Sequence, residues 1–175
     1  MKFDEHECLK WCFGNLLSNS IRAKVAEFIV AKALDVANDL QQGWDAFDLN
    51  YRDAGIEVKS SAYLQSWEQA GLSKIVFDIA PRTHAWNAYK NAWVSHNHPK
   101  RAADVYVFCL FTEVRREVAN PLDTDQWVFH VLSRATIDEN WGMQKTVSYG
   151  PVKSSSEAMS FEHIRVTVDK ILSNG

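Results

Sequence analysis

No run of about 18 apolar residues occurs in this chain, so no segment of it is expected to span a bilayer. Cysteine is scarce: there are three, Cys8, Cys12 and Cys109. An odd number cannot pair completely within one chain, and reduced thiols of a cytoplasmic protein are the expectation. The opening stretch, Met1 to Glu7, is acidic and lacks the apolar core of a signal peptide, which points away from secretion. A basic excess is also missing. Lys plus Arg number 19 against 22 Asp plus Glu, a net charge of −3, whereas proteins that grip a duplex through its phosphates usually carry surplus positive charge. Nucleic-acid binding would therefore rest on a local patch or on metal bridging. Neither a P-loop nor a dinucleotide fingerprint is present, which leaves nucleotide-cofactor chemistry without support. No repeat, low-complexity tract or linker divides the 175 residues, and a single domain over residues 1–175 is expected.

What the chain does contain is enough apolar material for a core without disulfides: 46% of its residues are apolar and 12% aromatic. Residues 3–16 read as a short helix, and Ser18-Asn19-Ser20 offer N-cap side chains for a longer one over about residues 20–40. That helix carries Ile21, Val25, Phe28, Ile29, Ala33 and Val36 on one broad face. Residues 44–51 alternate as a strand, residues 52–55 have turn chemistry, and residues 56–61 read as the return strand. Further apolar runs cover residues 75–80, 105–111 and 127–132. Between the first two of these, Trp86, Tyr89 and Trp93 fall at helical spacing. Ser160 is placed to cap a last helix with Phe161, Ile164, Val168, Ile171 and Leu172 as its apolar stripe. The order predicts an α/β sandwich around a mixed central sheet flanked by helices.

The hairpin over residues 44–61 carries the chemistry. Side chains alternate between the faces of a strand. Phe47, Leu49 and Tyr51 therefore share one face of the first strand, and Asp48 and Asn50 the other. On the second, Ile56 and Val58 oppose Glu57, Lys59 and Ser61. A four-residue turn places Tyr51 opposite Ile56, Asn50 opposite Glu57 and Asp48 opposite Lys59. One side is then dry and the other gathers two carboxylates and an ammonium, since opposed Cβ atoms lie roughly 4.5–5.5 Å apart. A solvated polar face on an edge hairpin is the competing account, because an acid–acid–lysine pattern is short. Glu27 tips the balance. Its helical neighbours Ala23, Val30, Ala31 and Leu34 form an apolar strip, and a carboxylate facing protein needs a partner. Either Arg22 or a metal shared with the hairpin acids satisfies it.

Asp48, then Glu57-Val58-Lys59, preceded by the helical Glu27, resembles the PD-(D/E)XK nuclease superfamily. Residues 22–28, Phe47-Asp48-Leu49, the stretch IEVKSSAYLQSW over residues 56–67, Phe77-Asp78-Ile79, residues 103–108 and residues 121–127 are similar to a group of mostly uncharacterised bacterial members. The resemblance runs from about residue 14 to 150. It implies a restriction-endonuclease-like αβββαβ core and a Mg²⁺-dependent nuclease (Mn²⁺ substituting) hydrolysing DNA phosphodiester bonds. No proline precedes Asp48, Ala23 stands where related sequences tend to have glycine, and residues 84–98 match the crossover helix poorly. Under this reading Asp48, Glu57 and the carbonyl of Val58 ligate the metal, and Glu27 holds a second ion or a metal-bound water. Lys59 orients or deprotonates the attacking water, or stabilises transition-state charge. Gln65 and Ser60 position water or phosphate, with capping of the next element as their plainer role.

Weaker signals remain. His6, Cys8 and Cys12 lack a fourth zinc ligand. The tryptophans of residues 86–93 are expected in the core rather than stacked on bases beside the basic loop of His96, His98, Lys100 and Arg101, with Lys90, Lys100 and Arg101 as candidate phosphate contacts. Asp78 is expected at a solvated strand end, and Asp104 at the opening of its strand. Besides a deoxyribonuclease, the pattern admits a non-catalytic module of the same fold that binds protein or nucleic acid, and a hydrolase of another phosphate ester. Homodimerisation through apolar surface near Trp127 or Trp141 is a further expectation.

Overall fold

The computed structural model describes residues 1–37, 46–87 and 92–174. Trp44, Asp45, Tyr89, Lys90 and the expected helical residues 38–40 lie outside them. Helix α1 (Glu5–Phe13) begins where Asp4 accepts a hydrogen bond from the Glu7 amide. None of its residues is buried, so its Trp11 and Phe13 stay outside the core. Helix α2 (Asn19–Leu34) starts at Ser18, whose Oγ accepts from the Ile21 amide, and stops at Asp35 in the left-handed region, φ 61°. It is shorter than its apolar pattern suggests, because a left-handed C-terminal residue ends the hydrogen-bond ladder. Val25, Ala26, Ile29, Val30 and Leu34 are buried, but Phe28, expected on the apolar face, is 54% exposed.

Strands β1 (Leu49–Tyr51) and β2 (Ala54–Ala62) form the expected antiparallel hairpin with a tighter turn. Arg52 and Asp53 both have positive φ, 51° and 64°, the signature of a two-residue turn whose twist suits a hairpin. Leu49 therefore faces Ile56, Asn50 faces Gly55 and Tyr51 faces Ala54. The expected pairing is displaced by two residues. A slip of two preserves which face each side chain occupies, where a slip of one would invert it. Ile56 and Val58 are buried as predicted, and Glu57 and Lys59 point the other way. Phe47 breaks the pattern. It packs with the core on the far side of the sheet from Leu49 and Tyr51. Its ring lies across Gly55, where an added Cβ would come to 2.5 Å from Phe47 Cδ1.

Strand β6 (Val105–Phe111) runs parallel to β2, and β7 (Trp127–Ser133) runs antiparallel to β6. The order β1-β2-β6-β7 gives a four-stranded mixed sheet. Every residue of β6 is buried, as an interior strand covered on both faces requires. Helix α2 and the last helix, α5 (Ile164–Ser173), cover the face carrying Ile56, Val58, Val107 and Phe129. The other face packs Tyr106, Phe108 and Leu110 against Phe77, Ile137, Trp141, Val147 and Val152. These come from β3 (Val76–Asp78), α3 (Arg134–Trp141), β8 (Thr146–Ser148) and α4 (Tyr149–Ser155). Trp127 and Trp141 are themselves buried, while Leu122 and Met143, near them in the chain, are exposed. Among the described residues no helix is long and apolar enough to cross a membrane.

Two expectations between β2 and β6 fail. The third strand, β3, does not extend the sheet but pairs with β8. In place of a crossover helix there is a hairpin, β4 (Arg82–Asn87) and β5 (Ala92–Lys100), with Trp86 opposite Trp93. Aromatics seven apart suit two turns of helix, yet the same spacing places them across a hairpin. The alternation Trp93, Ser95 against Val94, His96 favours strand. The tryptophans are not core: Trp93 is 59% exposed.

Arg101 closes the base of this hairpin. It is buried, and its Nε donates to the Ile79 carbonyl at 2.8 Å. Its two terminal nitrogens donate to Asp138, to the Gly142 carbonyl at 2.7 Å and to the Gln144 carbonyl at 3.1 Å. Four of the five guanidinium donors are thus engaged, so the expectation of a phosphate contact here gives way to a structural clamp. Arg101→Met strands three carbonyls, and a loss on the order of 3 kcal/mol is expected in urea unfolding. Asp138→Asn, at a half-exposed carboxylate, is expected to cost less than about 1 kcal/mol in the same measurement.

Candidate functional site

Glu57 and Lys59 are two residues apart on β2 and project from one face of the sheet. The Lys59 ammonium donates to Glu57 Oε1 at 2.5 Å. Both side chains are largely buried. Burial pushes the Glu57 carboxyl above its ordinary range. Lys59 pulls it back, while Asp48 and then Asp78 push it further up. Tyr106 stands opposite Glu57 on β6. Burial, then the Glu57 charge, raises its hydroxyl well above the usual tyrosine range.

Asp48 sits where the β1 ladder ends. Its amide donates to the Ile56 carbonyl at 3.1 Å, and its Oδ2 accepts from the Val58 amide at 2.7 Å. A side chain thus takes the place of the next backbone partner, between Glu57 and Lys59 rather than opposite Lys59 as the longer turn predicts. Within a strand the amide and carbonyl of one residue point to the same edge. The Val58 carbonyl therefore faces the Asp48 edge, past the last paired residue of β1.

Glu27 approaches from α2. It is buried, and its two carboxylate oxygens accept from Lys24 Nζ at 3.1 and 2.9 Å. Lys24 is therefore a partner, and Arg22 bonds elsewhere: to the Leu17 and Leu64 carbonyls, Asn19 and Gln65. Burial raises the Glu27 carboxyl, the Lys24 bond lowers it, and Asp48 raises it while Lys59 lowers it more weakly. Asp48 and Lys59 thus both lie within electrostatic reach of Glu27.

Gln65 is buried with its amide engaged at both ends. Nε2 donates to the Ala62 carbonyl at 2.9 Å and Oε1 accepts from Arg22 at 3.3 Å. It ties α2 to the end of β2 and does not line the cleft described next. Ser60 shares the Ile56 and Val58 side of β2, away from Glu57 and Lys59, and its Oγ is buried without a hydrogen-bond partner.

A cleft of about 350 Å³ opens over Glu57 and Lys59. Asp78 and Tyr106 join them at its floor, and the β4–β5 hairpin supplies a wall with Arg82, His84, Trp86, Trp93, His96 and Lys100. Asp78 is at a solvated strand end as expected, about half exposed, and it also lies within electrostatic reach of Glu57. Its Oδ1 accepts from the Ala80 amide and its Oδ2 pairs with Arg82, both at 2.8 Å. The signal in the sequence was an acid inside the apolar run Ile75-Val76-Phe77-Asp78-Ile79. Asp104 opens β6 as expected, accepting from the Gly55 amide at 3.0 Å.

Other polar groups are accounted for structurally. His130 is fully buried, with Ser156 Oγ on one ring nitrogen at 3.0 Å and Tyr149 OH on the other at 3.3 Å. Cys8 and Cys12 are exposed free thiols on α1. Among the described residues no three His, Cys, Asp or Glu side chains come together as a metal cluster.

A carboxyl raised in the folded state adds stability at low pH that is lost as pH climbs through its folded value. For Glu57 that window opens just above the ordinary carboxylate range. Glu57→Gln removes this titration. Urea unfolding from pH 4 to pH 8 is expected to show the variant gaining on the parent as pH rises. A constant difference across the series would mean that the ion pair with Lys59 fully offsets burial.

No family model matches the chain, and no curated protein matches it.

Proposed function

We propose that the chain is a Mg²⁺-dependent nuclease that hydrolyses DNA phosphodiester bonds in the cleft over β2. In this reading α2, the β1–β2 hairpin and the parallel strand β6 form a restriction-endonuclease-like core. One observation carries it: Glu57 and Lys59 are held together on an interior strand, at the floor of an open cleft, with Asp48 bonded to the residue between them. A scaffold has no physical need to desolvate a carboxylate beside two others.

The donor set suits Mg²⁺, which prefers oxygen and is anchored by one or two carboxylates with water filling the rest. Asp48 and Glu57 each have one oxygen outside the bonds to Val58 and Lys59, and the Val58 carbonyl faces the same edge. Burial above all, with Asp48 and Asp78 adding to it, raises the Glu57 carboxyl, and a cation bound there would favour its charged form. When bound, the ion supplies charge neutralisation at phosphate and an acidified water. The Lys59 ammonium orients the attacking water by donating to it, and its charge favours a pentacovalent phosphate. Glu27, in electrostatic reach of Asp48 and Lys59, orders water at the back of the site.

A second reading, a non-catalytic module of the same fold, is favoured by the Glu57–Lys59 pair and by the acidic net charge. Incubation with single-stranded, duplex and branched DNA separates the two. The nuclease is expected to cleave at least one of them with Mg²⁺ or Mn²⁺ and not with EDTA. Lys59→Ala is expected to lower the rate by at least about a hundredfold while circular dichroism and the urea midpoint stay close to the parent. Uncut DNA of all three kinds, with no saturable Mn²⁺ uptake by titration calorimetry, would leave the binding module.

A further inference from the structure

The β4–β5 hairpin is the part of the cleft that hydrolysis does not use. Its strands form a sheet of their own. Trp86 and Trp93 stand opposite each other across it, edge to face, with ring centroids 5.8 Å apart. A pair serving only as core would be covered, yet Trp86 is half-buried and Trp93 largely open to solvent. Both indoles line the cleft that holds Glu57 and Lys59, and Arg82, His84, His96 and Lys100 share that lining. Aromatic rings interleaved with cationic and imidazole side chains match a strand of nucleic acid, which offers flat bases and phosphates in alternation.

We infer that this hairpin is a stacking arm for single-stranded DNA: an unpaired base lies on Trp93 while Lys100 and the histidines meet the flanking phosphates. The inference rests on the nuclease reading of the cleft and names its substrate as a strand with unstacked bases. Duplex bases are already stacked and present only their edges. The cleft, about 350 Å³, has the size of a small-molecule site, room for a nucleotide. The acidic total charge fits as well, because stacking recruits a strand without the broad basic surface that duplex binding relies on.

The plainer account is that the indoles hold the hairpin together and touch no ligand. Fluorescence anisotropy decides between them, with Ca²⁺ replacing Mg²⁺ so that strands stay intact. The probes are a labelled oligothymidine of about twelve nucleotides, in the range of single-strand site sizes, the same strand with central abasic residues, and a blunt duplex. The parent is expected to bind oligothymidine at least about tenfold more tightly than the abasic strand, the difference one stacked base makes, and more tightly than the duplex. Trp93→Ala is expected to erase that preference and Trp93→Phe, which keeps a ring, to restore most of it. Equal affinity of the parent for base-bearing and abasic strands overturns the stacking arm, whatever the variants do to stability. So does an unchanged preference in Trp93→Ala. A failed nuclease reads differently: the base preference survives, but no strand is cut in Mg²⁺.

Discussion

The parallel pairing of β2 with β6 is the constraint from which the candidate site follows. Parallel neighbours cannot be joined by a tight turn, so the chain that leaves β2 at Ala62 must travel back before it re-enters at Val105. One face of the sheet is taken by α2 and α5. The return path crosses the other, where Glu57 and Lys59 project. There β3 packs its Phe77 against Phe108 of β6, ring centroids 5.1 Å apart. The β4–β5 hairpin then departs just after Ile79 and returns at Arg101. The bond from Arg101 to the Ile79 carbonyl pins departure and return to one point, so the hairpin overhangs the charged face as a wall. The cleft is a consequence of how the crossover is anchored.

Its floor is electrostatically tense but locally satisfied. Asp48 and Asp78 each act on the Glu57 carboxyl, and each of the three acids has a partner of its own. Asp48 has the Val58 amide, Glu57 has Lys59, and Asp78 has Arg82 and the Ala80 amide. Burial is the largest influence on Glu57 and acts against its charged form; the Lys59 ammonium comes second and opposes it. Lys59 is the counter-charge hydrogen-bonded to Glu57, and its field also reaches Glu27.

How much of this was legible depends on which physical signal each element carried. Strands β6 and β7 announced themselves as continuous apolar runs because the interior of a covered sheet has no polar face to show. The two faces of β2 were readable from period two alone. Register was not, since it depends on the turn: Arg52 and Asp53 are unremarkable in composition, and both adopt left-handed backbone, closing the hairpin two residues early. Parity survived because the error was even. Asp48 moved from a place opposite Lys59 to a bond with Val58, a change of partner on the same edge. The short elements α3, β8 and α4 carry too few residues for any periodicity to emerge, and they were invisible. Asp78 does end β3 half exposed, as its place in the run implies; that it also reaches Glu57 follows from the pairing of β3 with β8, which spacing does not reveal.

The hairpin is the instructive failure. Spacing alone did not distinguish two turns of helix from a cross-strand pair for Trp86 and Trp93, and the two alternatives bury different surfaces. An amphipathic crossover helix would have laid its stripe on the sheet and closed the cleft over Glu57. A two-stranded hairpin is marginal on its own, and the Trp86–Trp93 contact is worth only about 0.2–1 kcal/mol. The arm is therefore stabilised chiefly at its base, where Arg101 engages four acceptors on two segments of chain. Because the base bears that load, the rings near the tip need not be packed to keep the fold. They remain available at the rim of a cleft whose floor is ionic. Anchoring at one end and aromatic exposure at the other are thus two aspects of one arrangement, which opens a site that a packed helix would have covered.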